Sequence, residues 1–168
     1  MTDRRTTGFT ALELAIAITV VGILAAVAVP NYLGLVRNVR AAQAVADIQA
    51  VRAAVYMYFA DHQAWPPEGP AGAVPPELAP YLPPNVAFYR STYRLDWDNW
   101  IVYDPPVNGS PPVAHSRFPS TGVYAGISLI SNDPKFLQAA RGLLRNATVV
   151  TVAPNRTTLV VANETGSL

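Results

Sequence analysis

Polar and apolar positions divide this chain into unlike stretches. Met1 to Gly8 is polar and basic, whereas Phe9 to Val29 is apolar almost throughout, with one ionisable interruption at Glu13. At about 1.5 Å per residue that run spans roughly 30 Å as a helix, the thickness of a bilayer core. From Asn31 to Asp61 the pattern becomes amphipathic. Tyr32, Leu35, Val36, Val39, Val45, Ile48, Val51, Val55, Tyr58 and Phe59 recur at gaps of mostly three and four. Arg37, Arg40, Gln43, Asp47 and Arg52 are expected on the other faces. With neither glycine nor proline from Leu35 to Asp61, the spacing predicts one continuous helix of about 50 residues, roughly 75–80 Å long.

Beyond the helix, prolines at 66, 67, 70, 75, 76, 80, 83 and 84 forbid regular helix or a central strand, leaving an ordered loop. A short helical turn around Pro76 to Tyr81 is compatible with it. Strand-like alternation follows at Thr92 to Trp97 and at Trp100 to Tyr103, with Asp98-Asn99 as the expected hairpin turn. Gly122 to Ile130 reads as another strand. Ser131-Asn132-Asp133-Pro134 is a helix start, with a capping side chain before a proline at the first helical position. Phe136, Leu137, Ala140, Leu143 and Leu144 give that helix an apolar face. Two β-branched runs, Ala147 to Ala153 and Thr157 to Ala162, flank Pro154-Asn155-Arg156 as a second hairpin.

The expected fold is therefore α+β: a long N-terminal helix, half membrane-like and half amphipathic, packed on a small antiparallel sheet. Its parts are a leader over 1–8, a transmembrane or filament-core helix over 9–30, and an amphipathic helix over 31–62. A proline-rich connection over 63–85 leads to an antiparallel sheet with a short helix over 86–168.

Composition sharpens this. Charged residues are only 14% of the 168, against about a quarter in ordinary soluble domains, which agrees with a membrane-associated part. The formal charge of +1 gives no field of one sign, so nucleic acid is not an expected partner. Cysteine is absent, which excludes disulfides and thiolate chemistry. The basic flank with Arg4 and Arg5 should stay cytoplasmic, sending the C-terminal side across the membrane. A secretory signal peptide competes with this reading, because Ala25, Ala26 and Ala28 supply small residues for cleavage. Against it stand the length of the apolar run and the helical patterning that continues past Pro30.

The junction of leader and apolar run reads Gly8-Phe9-Thr10-Ala11-Leu12-Glu13-Leu14. These residues resemble the N-terminal signature of type IV prepilins and type II secretion pseudopilins, over about Arg5 to Leu35. The resemblance implies cleavage after Gly8 by a prepilin peptidase and methylation of the new N-terminal amine on Phe9. Glu13 stands where the family carries its assembly carboxylate, and Pro30 where it commonly has a helix-bending proline. Ala11 replaces a more usual leucine or isoleucine. The implied protein is a structural filament subunit, not an enzyme. It would sit in the bacterial inner membrane with its N-terminus cytoplasmic, then in a periplasmic pseudopilus or extracellular pilus. Partners would be the peptidase, further copies, other pilin-like subunits and an inner-membrane assembly platform. The missing cysteines tilt the choice toward a pseudopilin or minor subunit.

Elementary energetics supports a role for Glu13. A carboxylate within a membrane helix costs about 2.5–3.5 kcal/mol on insertion scales. Neutralising the cationic amine of a neighbouring subunit would offset that and set axial register; snorkelling to the interface is the simpler alternative. Pro30 removes a helix hydrogen bond, and Gly22 and Gly34 on either side lower helix propensity further.

Other chemistry is thin. Asp96, Asp98, Asn99 and Asp104 lie close in sequence, and some pseudopilins bind calcium near their sheet. There is no EF-hand spacing, and strand alternation is expected to split these residues between faces, so turn residues are the simpler reading. Trp97, Trp100, Tyr93 and Tyr103 suit cross-strand packing better than a stacking platform. His62 is expected to cap the long helix or face solvent. Ser116, Ser120, Ser128 and His115 fit no nucleophilic motif, and Glu68 and Glu77 form no acid–base pair. Four Asn-x-Ser/Thr matches, at Asn108, Asn146, Asn155 and Asn163, carry little weight in turn-rich sequence. Two alternatives stand beside the filament subunit: a single-pass anchored periplasmic binding or adhesion module that does not polymerise, and an exported enzyme with a signal peptide.

Overall fold

The computed structural model describes residues 9–103, 114–117, 123–145 and 147–163. The chain divides into two compact units at Val36/Arg37. Both share one helix, α1 (Ala11–His62), which runs through Pro30 without a break in its assignment.

A reciprocal cap opens α1. The Glu13 amide donates to Thr10 Oγ1 at 3.2 Å, while the Thr10 amide and hydroxyl both donate to Glu13 Oε2 at 2.8 Å. This is the Thr-x-x-Glu capping box, which satisfies two otherwise orphaned groups at once. At the other end Gln63 takes a positive φ of 52° and its amide donates to the Phe59 carbonyl at 2.8 Å. That left-handed residue stops the helix. His62 stacks on Tyr58 at the exposed helix end, as expected of a terminal residue.

In the second unit, α1 contributes Ala41, Ala44, Ile48, Val51, Ala54 and Val55 to the core. The series begins at Ala41; Val39, one of the apolar positions of the period, is 62% exposed. The spacing from Ala41 to Val55 keeps small and β-branched residues on one narrow line, and Val39 lies off that line.

The elements after α1 are a 3₁₀ turn (Ala79–Tyr81), β1 (Arg94–Asn99), β2 (Ile101–Tyr103), β3 (Ala114–Ser116), β4 (Val123–Ile130), α2 (Pro134–Leu143), β5 (Val149–Ala153) and β6 (Arg156–Asn163). Four strands form an antiparallel sheet in the order β1-β4-β6-β5, and β2 pairs with β3 separately. Leu95, Trp97, Ala125, Ile127, Leu129, Leu159 and Val161 join the α1 residues and Phe136, Leu137 and Ala140 of α2 in one buried cluster. The expected α+β architecture is what the molecule has.

One local expectation fails. Asp98 and Asn99 are not a hairpin turn but the end of β1, opposite Gly126 and Ala125 of β4. β1 therefore pairs with β4, not with β2. The edge of β1 is covered by the proline-rich segment: the Gly72 amide donates to the Leu95 carbonyl, and the Pro66 carbonyl accepts from Trp97 Nε1 and Asn99 Nδ2. An edge so covered offers no row of free backbone groups to another chain. The start of α2 is as the sequence indicated. Asp133 accepts from the amides of Lys135 and Phe136 at 2.9 and 3.1 Å, and Pro134 occupies the first turn.

Candidate assembly and polar sites

In the first unit every large apolar side chain from Phe9 to Leu35 is at least half exposed. The helix carries a stretch of mean hydropathy 2.6, long and apolar enough to cross a membrane. Within that stretch each face is apolar, so no side of it is suited to water. Phe9 precedes the helix, fully accessible, and Gly8 lies outside the described residues. The Glu13 carboxylate is held at the Thr10 amide, one residue from Phe9. That geometry keeps the carboxylate beside the Thr10 backbone. The capping box was legible in Thr10-x-x-Glu13, and sequence reasoning passed over it in favour of the charge.

The second unit buries two polar networks, and the pattern of polar positions indicated neither. Asp47, expected on a face other than the apolar one, is instead buried on the core side. Tyr93 Oη donates to its Oδ2 at 2.7 Å, and Arg90 donates from Nε at 2.8 Å and from Nη2 at 3.4 Å. Burial, then the bond to Asp47, pushes the Tyr93 hydroxyl well above the usual phenol range. The network ties α1 to the segment that leads into β1.

The second network occupies the sheet face away from α1. Asp96 and Asp98 are two residues apart in β1 and share one face, 6% and 2% exposed, while Asn99 falls on the other with Trp97, the split that alternation implies. Arg156 of β6 donates to both carboxylates, at 2.9 Å to Asp96, and through Nε to Ser128 Oγ at 2.9 Å. Ser128 Oγ also donates to Asp98 at 2.5 Å and lies 2.7 Å from Thr158 Oγ1. Burial pushes the Asp96 carboxyl up to about 6, with the Asp98 charge adding to the rise and Arg156 opposing it. Arg156 thus lies across both carboxylates; Asp104, the third of the calcium candidates, lies outside the described residues. Among the described residues no group of three or more metal-ligating side chains occurs. Trp97 packs near Trp65 of the proline-rich connection, and Tyr93 stacks on Phe136 of α2, so both are core residues whose aromatic partners lie on a loop and a helix, not across the sheet.

Fifteen known proteins resemble the chain significantly. Over 110 residues it is 36% identical to the type II secretion system core protein G of Escherichia coli (strain K12), covering 61% of this chain and 75% of that protein. It is 41% identical over 69 residues to the type IV major pilin protein PilE1 of Neisseria gonorrhoeae, or 41% of this chain and 32% of the pilin. The match to core protein G of Vibrio cholerae is 41% over 63 residues, 43% of its length. The chain thus spans about a third of the gonococcal pilin but three quarters of the Escherichia coli protein. No protein-family model and no solved structure matches it.

Proposed function

The chain belongs to the type IV pilin and type II secretion pseudopilin family, and we propose that it is a structural filament subunit whose N-terminal helix serves first as membrane anchor and then as assembly element. The observation that carries this is the unbroken exposure of apolar side chains from Phe9 to Leu35. Soluble proteins rarely leave so large an apolar surface bare. Among the described residues nothing covers it; lipid or further copies of the same helix would.

The remaining steps follow from the residues at its start. A prepilin peptidase cuts after Gly8, and the amine of Phe9 is methylated. The subunit is held in the inner membrane with its leader in the cytoplasm, and an assembly platform passes it into a pseudopilus or pilus with pilin-like neighbours. Glu13 neutralises the amine of an adjacent subunit, at a depth where a lone carboxylate is costly. Pro30, without an amide hydrogen, leaves one helix bond unmade and gives α1 a place to bend during packing. The named relatives are pilins and pseudopilins, which supports a structural and not a catalytic subunit.

N-terminal peptide mass spectrometry of membrane-extracted protein tests the processing: a methylated Phe9 is expected. An uncut chain would favour an anchored module that does not polymerise, and a start near Val29 an exported protein. Glu13→Ala should still insert and be cut, yet give few sheared filaments. Normal filament yield would remove the role assigned to Glu13.

A further inference from the structure

The cations of the second unit are not evenly matched. Arg37 pairs with Asp133 at 3.3 Å, Arg90 with Asp47, and Arg156 with Asp96 and Asp98. Among the described residues, Arg40, Arg94 and Lys135 are exposed and have no carboxylate partner; the same holds for Arg117 and Arg145, but the first three lie close to one another. They are gathered at one end of the unit. The Arg37–Asp133 pair brings the start of α2, and with it Lys135, to the first turn of α1 in this unit. Arg40 lies three residues from Arg37, a neighbour on the helix surface. Arg94 opens β1 opposite Ile130 and, with Ser131 and Asn132 just before α2, lines a polar cavity of about 280 Å³. With Arg90, which lines the same cavity and is held by Asp47, five cations face two carboxylates there. The amides that open α2 are already taken by Asp133, so the excess charge belongs to the side chains.

Chain length fixes where this end must be. Val29 closes the apolar run, and at about 1.5 Å per helical residue Arg37 and Arg40 stand roughly 12 and 17 Å further along α1. The headgroup layer outside the hydrocarbon is itself several ångströms thick on each side. While the run lies in a bilayer, Arg37 and Arg40 cannot be far from that layer. We propose that Arg37, Arg40, Arg94 and Lys135 form a binding collar for the phosphate headgroups of anionic phospholipid, with the cavity beside Arg94 admitting a headgroup. The collar seats the folded unit on the membrane until the subunit is drawn out. This rests on the reading of Phe9 to Val29 as membrane-spanning. Each basic side chain at an anionic surface raises occupancy about fivefold, and the attraction fades with salt.

The test uses the full chain in lipid nanodiscs of either phosphatidylglycerol or phosphatidylcholine, one copy per disc. Amide hydrogen exchange is followed over residues 37–41 and 131–137. Exchange should be about tenfold slower in phosphatidylglycerol, with the difference abolished by 0.5 M salt and by a combined Arg40→Gln, Arg94→Gln, Lys135→Gln variant. The matching Arg40→Lys, Arg94→Lys variant should keep it. Equal exchange in the two lipids would overturn the collar, as would protection that arises in phosphatidylcholine only when several copies share a disc, which would assign these cations to a neighbouring subunit. Resistance to alkaline carbonate extraction, measured on the same discs, reports the membrane segment separately. Its loss in both lipids would remove the anchor and the collar with it.

Discussion

Replacing Asp47 by alanine isolates the buried pin between α1 and the approach to β1. The substitution strips Tyr93 Oη of its acceptor, and Tyr93 is only 3% exposed, so water cannot replace it. A buried donor left without a partner costs about 1–3 kcal/mol. Arg90 loses two bonds as well, but its side chain is 28% exposed and keeps the Asn85 carbonyl, so solvent recovers most of that loss. Alanine returns up to about 0.7 kcal/mol in helix propensity. The net expectation is a loss of about 2 kcal/mol. Urea unfolding of residues 31–168, followed by tryptophan fluorescence, should show a midpoint lower by roughly 1 M for a slope near 2 kcal/mol/M. Tyr93→Phe retains the stack on Phe136 and should cost about 1 kcal/mol alone. The double variant removes donor and acceptor together, so it should be more stable than the sum of the singles by about 1–2 kcal/mol. An Asp47→Ala protein within 0.5 kcal/mol of the parent, or strict additivity, would refute the pin.

Further outcomes follow from other residues. Residues 31–168 alone should be a soluble monomer that unfolds cooperatively, because the core of the second unit lies within them; an aggregated or unfolded product in a sedimentation and melting experiment would contradict this. Asp96 has its carboxyl raised in the fold, so its contribution is fully present below about pH 4 and is lost as pH rises through about 6. Compared with Asp96→Asn, the parent should therefore lose on the order of 2 kcal/mol between pH 4 and pH 7, and parallel stability curves would count against it. At Gly126 an added Cβ would stand 2.6 Å from Thr158 Cγ2 and 3.0 Å from the Leu159 carbonyl. Gly126→Ala should lower stability by about 1–3 kcal/mol, and Thr158→Ser should restore part of it by removing the methyl while keeping the hydroxyl; no recovery in the melting temperature would mean the backbone contact dominates.

What the sequence made legible was local or periodic. The apolar run, the amphipathic period, the Asp133-Pro134 start of α2 and the Pro154-Asn155 turn each depend on residues a few positions apart, and each is present. What it hid was set by partners far along the chain. Asp96 and Asp98 look like turn residues until Arg156, about sixty positions away, is known to lie across them. Asp47 looks like a solvent-facing carboxylate because its partners, Arg90 and Tyr93, belong to a segment with no regular pattern of its own. Buried charge is tolerated only when paired, and pairing across the fold is invisible to a window of a dozen residues. The N-terminal signature was readable for the opposite reason: its chemistry lies within six consecutive residues.

The order β1-β4-β6-β5 has a consequence for how the chain is made. Synthesis runs from the N-terminus, so β6 is the last of these strands to emerge, yet it occupies an interior position between β4 and β5. Until it arrives, β4 lacks its second neighbour and β5 lacks its only one. β1 and β4 can pair early, but β5 joins the sheet only when β6 arrives. Through that interval the α1 residues from Ala41 to Val55 have only part of their sheet to rest on. Anchorage of the preceding apolar run during translation would keep that bare surface dispersed and away from other nascent copies. The segment that later makes the filament thus also buys time for the part that must not stick too early.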